Sequence, residues 1–190
     1  MYRVIAIVGK SATGKTTLQQ AISSRYKVNE IVSTTTRPMR EGEVDGKDYH
    51  FVNVDQFAKK VYNFEMLEAT EFNGWFYGTE RKALSKRKAN IGVFNLEGVS
   101  AMAEDSKIDL KVIYLDVDDK TRLIRALNRE ENVDVAEVCR RYFADEKDFS
   151  AEAFHELEEA GVEITRIKLD NQTPIDRLCL KFAPLIMGQE

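Results

Sequence analysis

Residues Gly9-Lys10-Ser11-Ala12-Thr13-Gly14-Lys15-Thr16 fit the pattern G-x-x-x-x-G-K-[ST] without a mismatch. Glycines at both ends let the backbone curl so that successive amide N–H groups converge on phosphate oxygens. Lys15 adds a mobile positive charge for β- and γ-phosphates, and the Thr16 hydroxyl can ligate Mg²⁺. Gly9, Ser11, Ala12, Thr13, Gly14, Lys15, Thr16 and Thr17 are therefore candidate triphosphate-binding residues, with Thr16 the candidate metal ligand. The motif alone does not choose between kinase, GTPase and ATPase.

A second run, Ser33-Thr34-Thr35-Thr36-Arg37-Pro38-Met39-Arg40, sets two arginines beside several hydroxyls. Guanidinium forks bind phosphate or carboxylate in bidentate geometry, so the run suits the phosphate of an acceptor. It reads equally well as a solvated loop. Glu68, taken alone, reads as one surface charge within Glu65 to Glu71. Arg141 and Glu137 have the spacing of an ordinary helical ion pair.

These residues need elements to position them. Val4-Ile5-Ala6-Ile7-Val8 is continuously apolar, as expected of a strand buried on both faces, and it leads directly into the glycine loop. A helix is expected over Thr17 to Arg25, with Leu18, Ala21 and Ile22 inward. Ile91 to Leu96, Val112 to Val117 and Ile164 to Leu169 read as further strands, and the alternation with helices implies an α/β fold with a parallel sheet. The segment from Thr34 to Thr79, rich in Gly, Asp, Asn and aromatics, breaks this rhythm as an inserted β-containing sub-domain. Asp55 is a candidate cap for a short helix through Val61. A helix starting at Asp118 or Asp119 and ending near Arg129 would put Leu123, Ile124 and Leu127 on one face and Arg122, Arg125 and Arg129 on the other. A following helix, about Val135 to Phe149, is expected to bury Val135, Val138, Tyr142 and Phe149.

Bulk properties narrow the class. The 190 residues are 43% hydrophobic and 32% charged, which suits one compact globular domain. A net charge of −4 argues against a broad nucleic-acid footprint, yet a local cationic pocket still suits a small anion. Cys139 and Cys179 have no metal-type spacing and read as free thiols. The first apolar run is too short for a signal peptide, and no run approaches the ~18 apolar residues of a membrane span. A cytoplasmic protein with no membrane or nucleic-acid partner is expected.

Beyond the glycine loop, three further segments carry a resemblance. They are Thr35-Thr36-Arg37-Pro38-Met39-Arg40-Glu41-Gly42-Glu43-Val44-Asp45-Gly46-Lys47-Asp48-Tyr49-His50-Phe51, then Phe64-Glu65-Met66-Leu67-Glu68-Ala69, then Gly74-Trp75-Phe76-Tyr77-Gly78-Thr79. Together they resemble the guanylate kinase family, in its order and with its spacing, over most of residues 4–100. The resemblance thins from Leu110 onward.

It implies a P-loop kinase fold: a central, mainly parallel five-stranded sheet flanked by helices, an inserted GMP-binding sub-domain and a helical lid. The core would occupy about 1–32, 80–118 and 150–190, the sub-domain about 33–79 and the lid about 119–149. The implied activity is Mg²⁺-dependent transfer of the ATP γ-phosphate to GMP or dGMP by a monomer or homodimer. Ser33, Arg37, Arg40, Tyr49 and Tyr77 would hold the GMP phosphate. Glu68 would accept from guanine N1–H and N2–H₂, and Thr79 would donate to O6. Lys15, Arg37, Arg125, Arg129 and Arg141 would be catalytic. Where the family has Asp-x-Asp, this chain has Asn95-Leu96-Glu97, leaving Glu97 to accept from guanine or a sugar hydroxyl, or to hold a magnesium-bound water. Two alternatives are a non-catalytic guanylate-kinase-like binding module and a P-loop kinase with another phosphorylated acceptor.

Overall fold

The computed structural model describes residues 1–72, 74–129, 133–169 and 174–187. Strand β1 (Tyr2–Val8) is the middle of a five-stranded sheet in the order β2-β7-β1-β8-β9. Its partners are β2 (Asn29–Glu30), β7 (Asn90–Val93), β8 (Ile108–Val117) and β9 (Ile164–Leu169), and every pairing is parallel. Alternate residues of a strand face opposite sides. Val4, Ala6 and Val8 accordingly join one core with Val99, Met102, Phe154 and Leu157, from helices α3 (Leu96–Ala103) and α6 (Ala151–Glu159). Ile5 and Ile7 join another with Leu18, Ile22, Cys179 and Phe182, from α1 (Lys15–Arg25) and α7 (Ile175–Met187). Both faces of β1 are dry, which is why its sequence is apolar without alternation.

A second, four-stranded sheet has the order β4-β3-β6-β5, from β3 (Thr34–Thr35), β4 (His50–Phe51), β5 (Met66–Phe72) and β6 (Trp75–Glu80). Helix α2 (Val54–Tyr62) buries Phe57 on this unit. Its cap is Asn53 rather than the expected Asp55: the Asn53 side chain accepts from Gln56 N–H while the Gln56 side chain accepts from Asn53 N–H. This reciprocal box satisfies two orphan donors at once, leaving Asp55 in the first turn.

Three further expectations need correction. The strand through Ile91 ends at Val93, not Leu96, because Asn95 caps α3 through its bond from Gly98 N–H. In α4 (Asp119–Leu127), Arg125 is exposed and Leu123 half-buried as expected, but Ile124 and Leu127 are exposed and Arg122 is buried, against the expected facing. In α5 (Val135–Asp148), Val135 is exposed and the buried residue is Asp145. The last two share one cause, an internal ion-pair network described below. None of the described helices is long and apolar enough to cross a membrane.

Candidate active site

Parallel strands deliver their C-terminal ends to one edge, and the residue after β1 begins the glycine loop there. Gly9 cannot be replaced freely, since a Cβ would lie 2.9 Å from both Leu115 O and Thr13 Oγ1. Gly14, at φ 95°, turns the chain into α1, and Ala12 adopts φ 61°. Such left-handed residues point consecutive N–H groups into one concavity. The Thr13 hydroxyl donates to Lys10 O, bracing the loop from within. Lys15 Nζ donates to Gly9 O at 2.7 Å and Lys10 O at 2.9 Å. Burial lowers its pKa to about 8, with Asp145 opposing the shift and Arg122, Arg141 and Arg129 adding to it.

Helices α4 and α5 are clasped to this loop. Asp145, 3% exposed, accepts from Ser11 N–H at 2.7 Å and from Ser11 Oγ at 3.2 Å. Arg122 pairs with Asp145 at 3.2 Å, Asp119 at 2.7 Å and Glu146 at 3.0 Å, and stacks over Tyr142. Lys10 closes the ring on Glu146. A charge as buried as Arg122 survives only with such partners. Asp145→Ala should therefore destabilise the fold by about 3 kcal/mol, read as a lower urea midpoint.

A cavity of about 910 Å³ runs from this loop to the second sheet. Gly9, Ser11 through Thr17, Ser33, Arg37, Arg40, Tyr49, Glu68, Tyr77, Arg125, Arg129 and Arg141 all line it. Arg37 is preset: its Nη2 donates to both Glu43 oxygens at 2.7 and 3.0 Å, and its guanidinium lies over Tyr49 and Phe51. Glu43 also accepts from Arg40 N–H. Burial and the neighbouring Arg141, Arg37 and Arg129 push the Arg40 pKa below its usual value, so cations from the Ser33–Arg40 run, from α5 and from just past the end of α4 converge on one space. Arg141 also makes the ordinary pair with Glu137, at 2.6 Å. The hydroxyls of Thr34, Thr35 and Thr36 are spent on Glu80, Phe76 O and Phe76 N–H, leaving Ser33 as the hydroxyl of that run on the cavity wall.

Glu68 sits 7% exposed on β5, and burial raises its pKa to about 7, with Thr79 pulling it down and Glu97 pushing it up. Thr79 lies beside Glu68, but Glu97 is not where the sequence suggested. Thr79, cross-strand from Glu68, is fully buried, and its hydroxyl, next to that carboxyl, has no other partner among the described residues. Glu97 lies exposed in the first turn of α3, off the cavity, because Asn95 rather than Glu97 follows the strand end and takes the inner place. Sequence reasoning missed Glu43, Thr70, Asn95 and Asp145. Glu43 had a signal in the Thr35–Phe51 segment of the resemblance, and Asn95 in standing where the family has Asp; Thr70 and Asp145 had none.

A family model described as guanylate kinase matches residues 1–160. The chain is 32% identical over 150 residues to a guanylate kinase of Maricaulis maris, an alignment covering 76% of this chain and 68% of that one. It is 34% identical over 142 residues to one from Synechococcus elongatus, covering 70% and 77%. A match to the protein of Paramagnetospirillum magneticum, 36% identical, spans 55% of that relative. The crystal structure of a guanylate kinase from Anaplasma phagocytophilum shares the fold with TM-score 0.62 at 22% identity, covering 98% of this chain and 86% of that one. With the glycine loop, the double-sheet architecture and this match in agreement, the chain belongs to the guanylate kinase family.

Proposed function

We propose that the chain is an ATP:GMP phosphotransferase, transferring the γ-phosphate of ATP to GMP or dGMP. The observation that carries this is the shared cavity: Lys15 and the glycine loop at one end, Arg37, Arg40 and Glu68 at the other. In phosphoryl transfer the protein chiefly aligns two substrates and stabilises charge on the moving group. The loop amides and Lys15 hold the β- and γ-phosphates. Ser33, Arg37, Arg40, Tyr49 and Tyr77 hold the acceptor phosphate. Arg125, Arg129 and Arg141 cover the transferred group from the lid, about residues 119–149, and the sub-domain of about 33–79 carries the acceptor. Closure excludes water, which suppresses hydrolysis and strengthens each charge interaction.

Magnesium fits a site of this kind. Thr16 offers a hard hydroxyl oxygen on the cavity wall, and the described residues contain no three-ligand carboxylate or histidine cluster, so phosphates and water would complete the shell. When bound, the ion neutralises charge on the β- and γ-phosphate oxygens.

Glu68 reads the base by accepting from N1–H and N2–H₂, a donor pair that adenine lacks. A non-catalytic module would have no need for both anion sites to open on one cavity. The decisive experiment is a coupled ADP-release assay over GMP, dGMP, AMP, UMP, CMP and dTMP. ADP release should require GMP or dGMP; ADP release independent of any acceptor would defeat the reading.

A further inference from the structure

One peptide unit of the glycine loop is held from both sides. Its carbonyl, Lys10 O, accepts from Lys15 Nζ and from Thr13 Oγ1, each at 2.9 Å. Its amide, Ser11 N–H, donates to Asp145 Oδ2 at 2.7 Å, and the Ser11 hydroxyl donates to Asp145 Oδ1 at 3.2 Å. A peptide bond is planar, so turning the N–H turns the C=O with it. Asp145 therefore fixes the direction of a carbonyl that aims Lys15. Its charge also bears on that ammonium, raising the Lys15 pKa against the effect of burial.

The same carboxylate ties α4 and α5 to this peptide. Arg122 Nη1 donates to Asp145 Oδ2 at 3.2 Å and reaches Ser11 O at 3.5 Å. Arg141 stands four residues before Asp145 on α5, and Arg125 three residues after Arg122 on α4, so each lies one turn from the buried pair. Both arginines line the cavity. The pair is not the arrangement that would stabilise the fold most. Arg122 is 2% exposed, yet its Nε–H has no partner among the described residues. Two apolar side chains of similar volume would fill the same place without an orphaned donor. What they could not supply is an acceptor for Ser11.

We propose that Asp145 is a positioning residue of the phosphoryl-transfer site, holding the Lys10–Ser11 peptide so that Lys15, Arg125 and Arg141 meet the triphosphate in one fixed arrangement. The inference rests on the kinase reading above. Both Asp145 oxygens are spent within the protein, so its effect passes through Ser11 and Arg122.

Two variants separate position from packing. Arg122→Met combined with Asp145→Leu keeps the volume and removes the acceptor, and its urea midpoint should not fall below the original. Its kcat at saturating ATP and GMP should drop by roughly thirtyfold, with KM for GMP within about twofold. Asp145→Asn keeps an acceptor for Ser11 N–H and turns an N–H to the Ser11 hydroxyl, so its kcat should stay within about threefold of the original. A double variant that turns over like the original overturns the assignment, and so does an Asp145→Asn enzyme as slow as the double variant. In the unaltered chain without nucleotide, hydrogen exchange at the Ser11 amide should be slowed by roughly a hundredfold or more relative to an open loop. Unprotected exchange there overturns the assignment with no variant to fold. Absence of GMP-dependent ADP release in the unaltered chain is a separate failure, of the kinase reading itself, and takes the positioning role with it.

Discussion

Lys15→Ala should reduce kcat by on the order of 10³ while leaving the fold intact. The ammonium is aimed into the cradle by two carbonyl bonds, to Gly9 and Lys10, and contributes nothing to either hydrophobic core. Removing it deletes a charge placed for the β- and γ-phosphates, where a low dielectric makes each charge interaction strong. Stability should change by only about 1 kcal/mol, because the lost part-buried hydrogen bonds are offset by removing a charge that burial disfavours. A second readout follows from the burial that lowers the Lys15 pKa to about 8. Phosphate oxygens favour the protonated ammonium, so nucleotide binding above that pH should take up a proton, measurable by calorimetry in buffers of different ionisation enthalpy. The alanine variant should show no such uptake. A variant turning over within tenfold of the original would remove Lys15 from the mechanism.

Glu68→Gln should lower kcat/KM for GMP by on the order of 10³ with little change in ATP binding. The amide cannot accept from two guanine donors at once and turns an N–H toward one of them. The pH profile gives the same residue a second signature. With a folded-state pKa of about 7, the carboxyl is increasingly protonated below neutrality, and the protonated form cannot accept bidentately. KM for GMP should therefore rise as pH falls through 7 and flatten in the variant.

The same shift acts on stability with a definite sign. Folding raises the Glu68 pKa from 4.5 to about 7, so the native state binds the proton more tightly than the unfolded chain. Stability from this group is greatest below pH 4.5, falls as pH rises to about 7 and is constant above, a penalty on the order of 3 kcal/mol. Glu68→Gln should thus be more stable than the original near pH 8. Calorimetry showing GMP affinity untouched in this variant would sink the guanine-reading role.

The parallel sheet and the glycine loop were legible in the sequence because both are local signals. A strand dry on both faces must be continuously apolar, and Val4 to Val8 is. The loop's turn needs glycine at fixed offsets, and Gly9 and Gly14 take the positive φ angles that need implies. The helix over Asp119–Leu127 was legible in extent but not in facing. Periodicity assigns polar residues outward, and Arg122 lies inward because Asp145, Asp119 and Glu146 arrive from elsewhere in the chain and on the helix to neutralise it. No local pattern records a partner 23 residues away.

By itself, then, the sequence determined which residue types could meet phosphate: the glycine loop, Lys15 and the arginines, each carrying its chemistry in its own side chain. The tertiary structure alone decided which side chains share the cavity wall. Strand pairing put Glu68 on that wall with Thr79 buried beside it, and the turn after Val93 brought Asn95 inward while Glu97 faced solvent. The physical reason is that exposure and hydrogen-bond direction are properties of neighbours brought together by folding. Asn95 is oriented by Gly98, and Thr70 by Asn95, through contacts that exist only once β5 and α3 are packed.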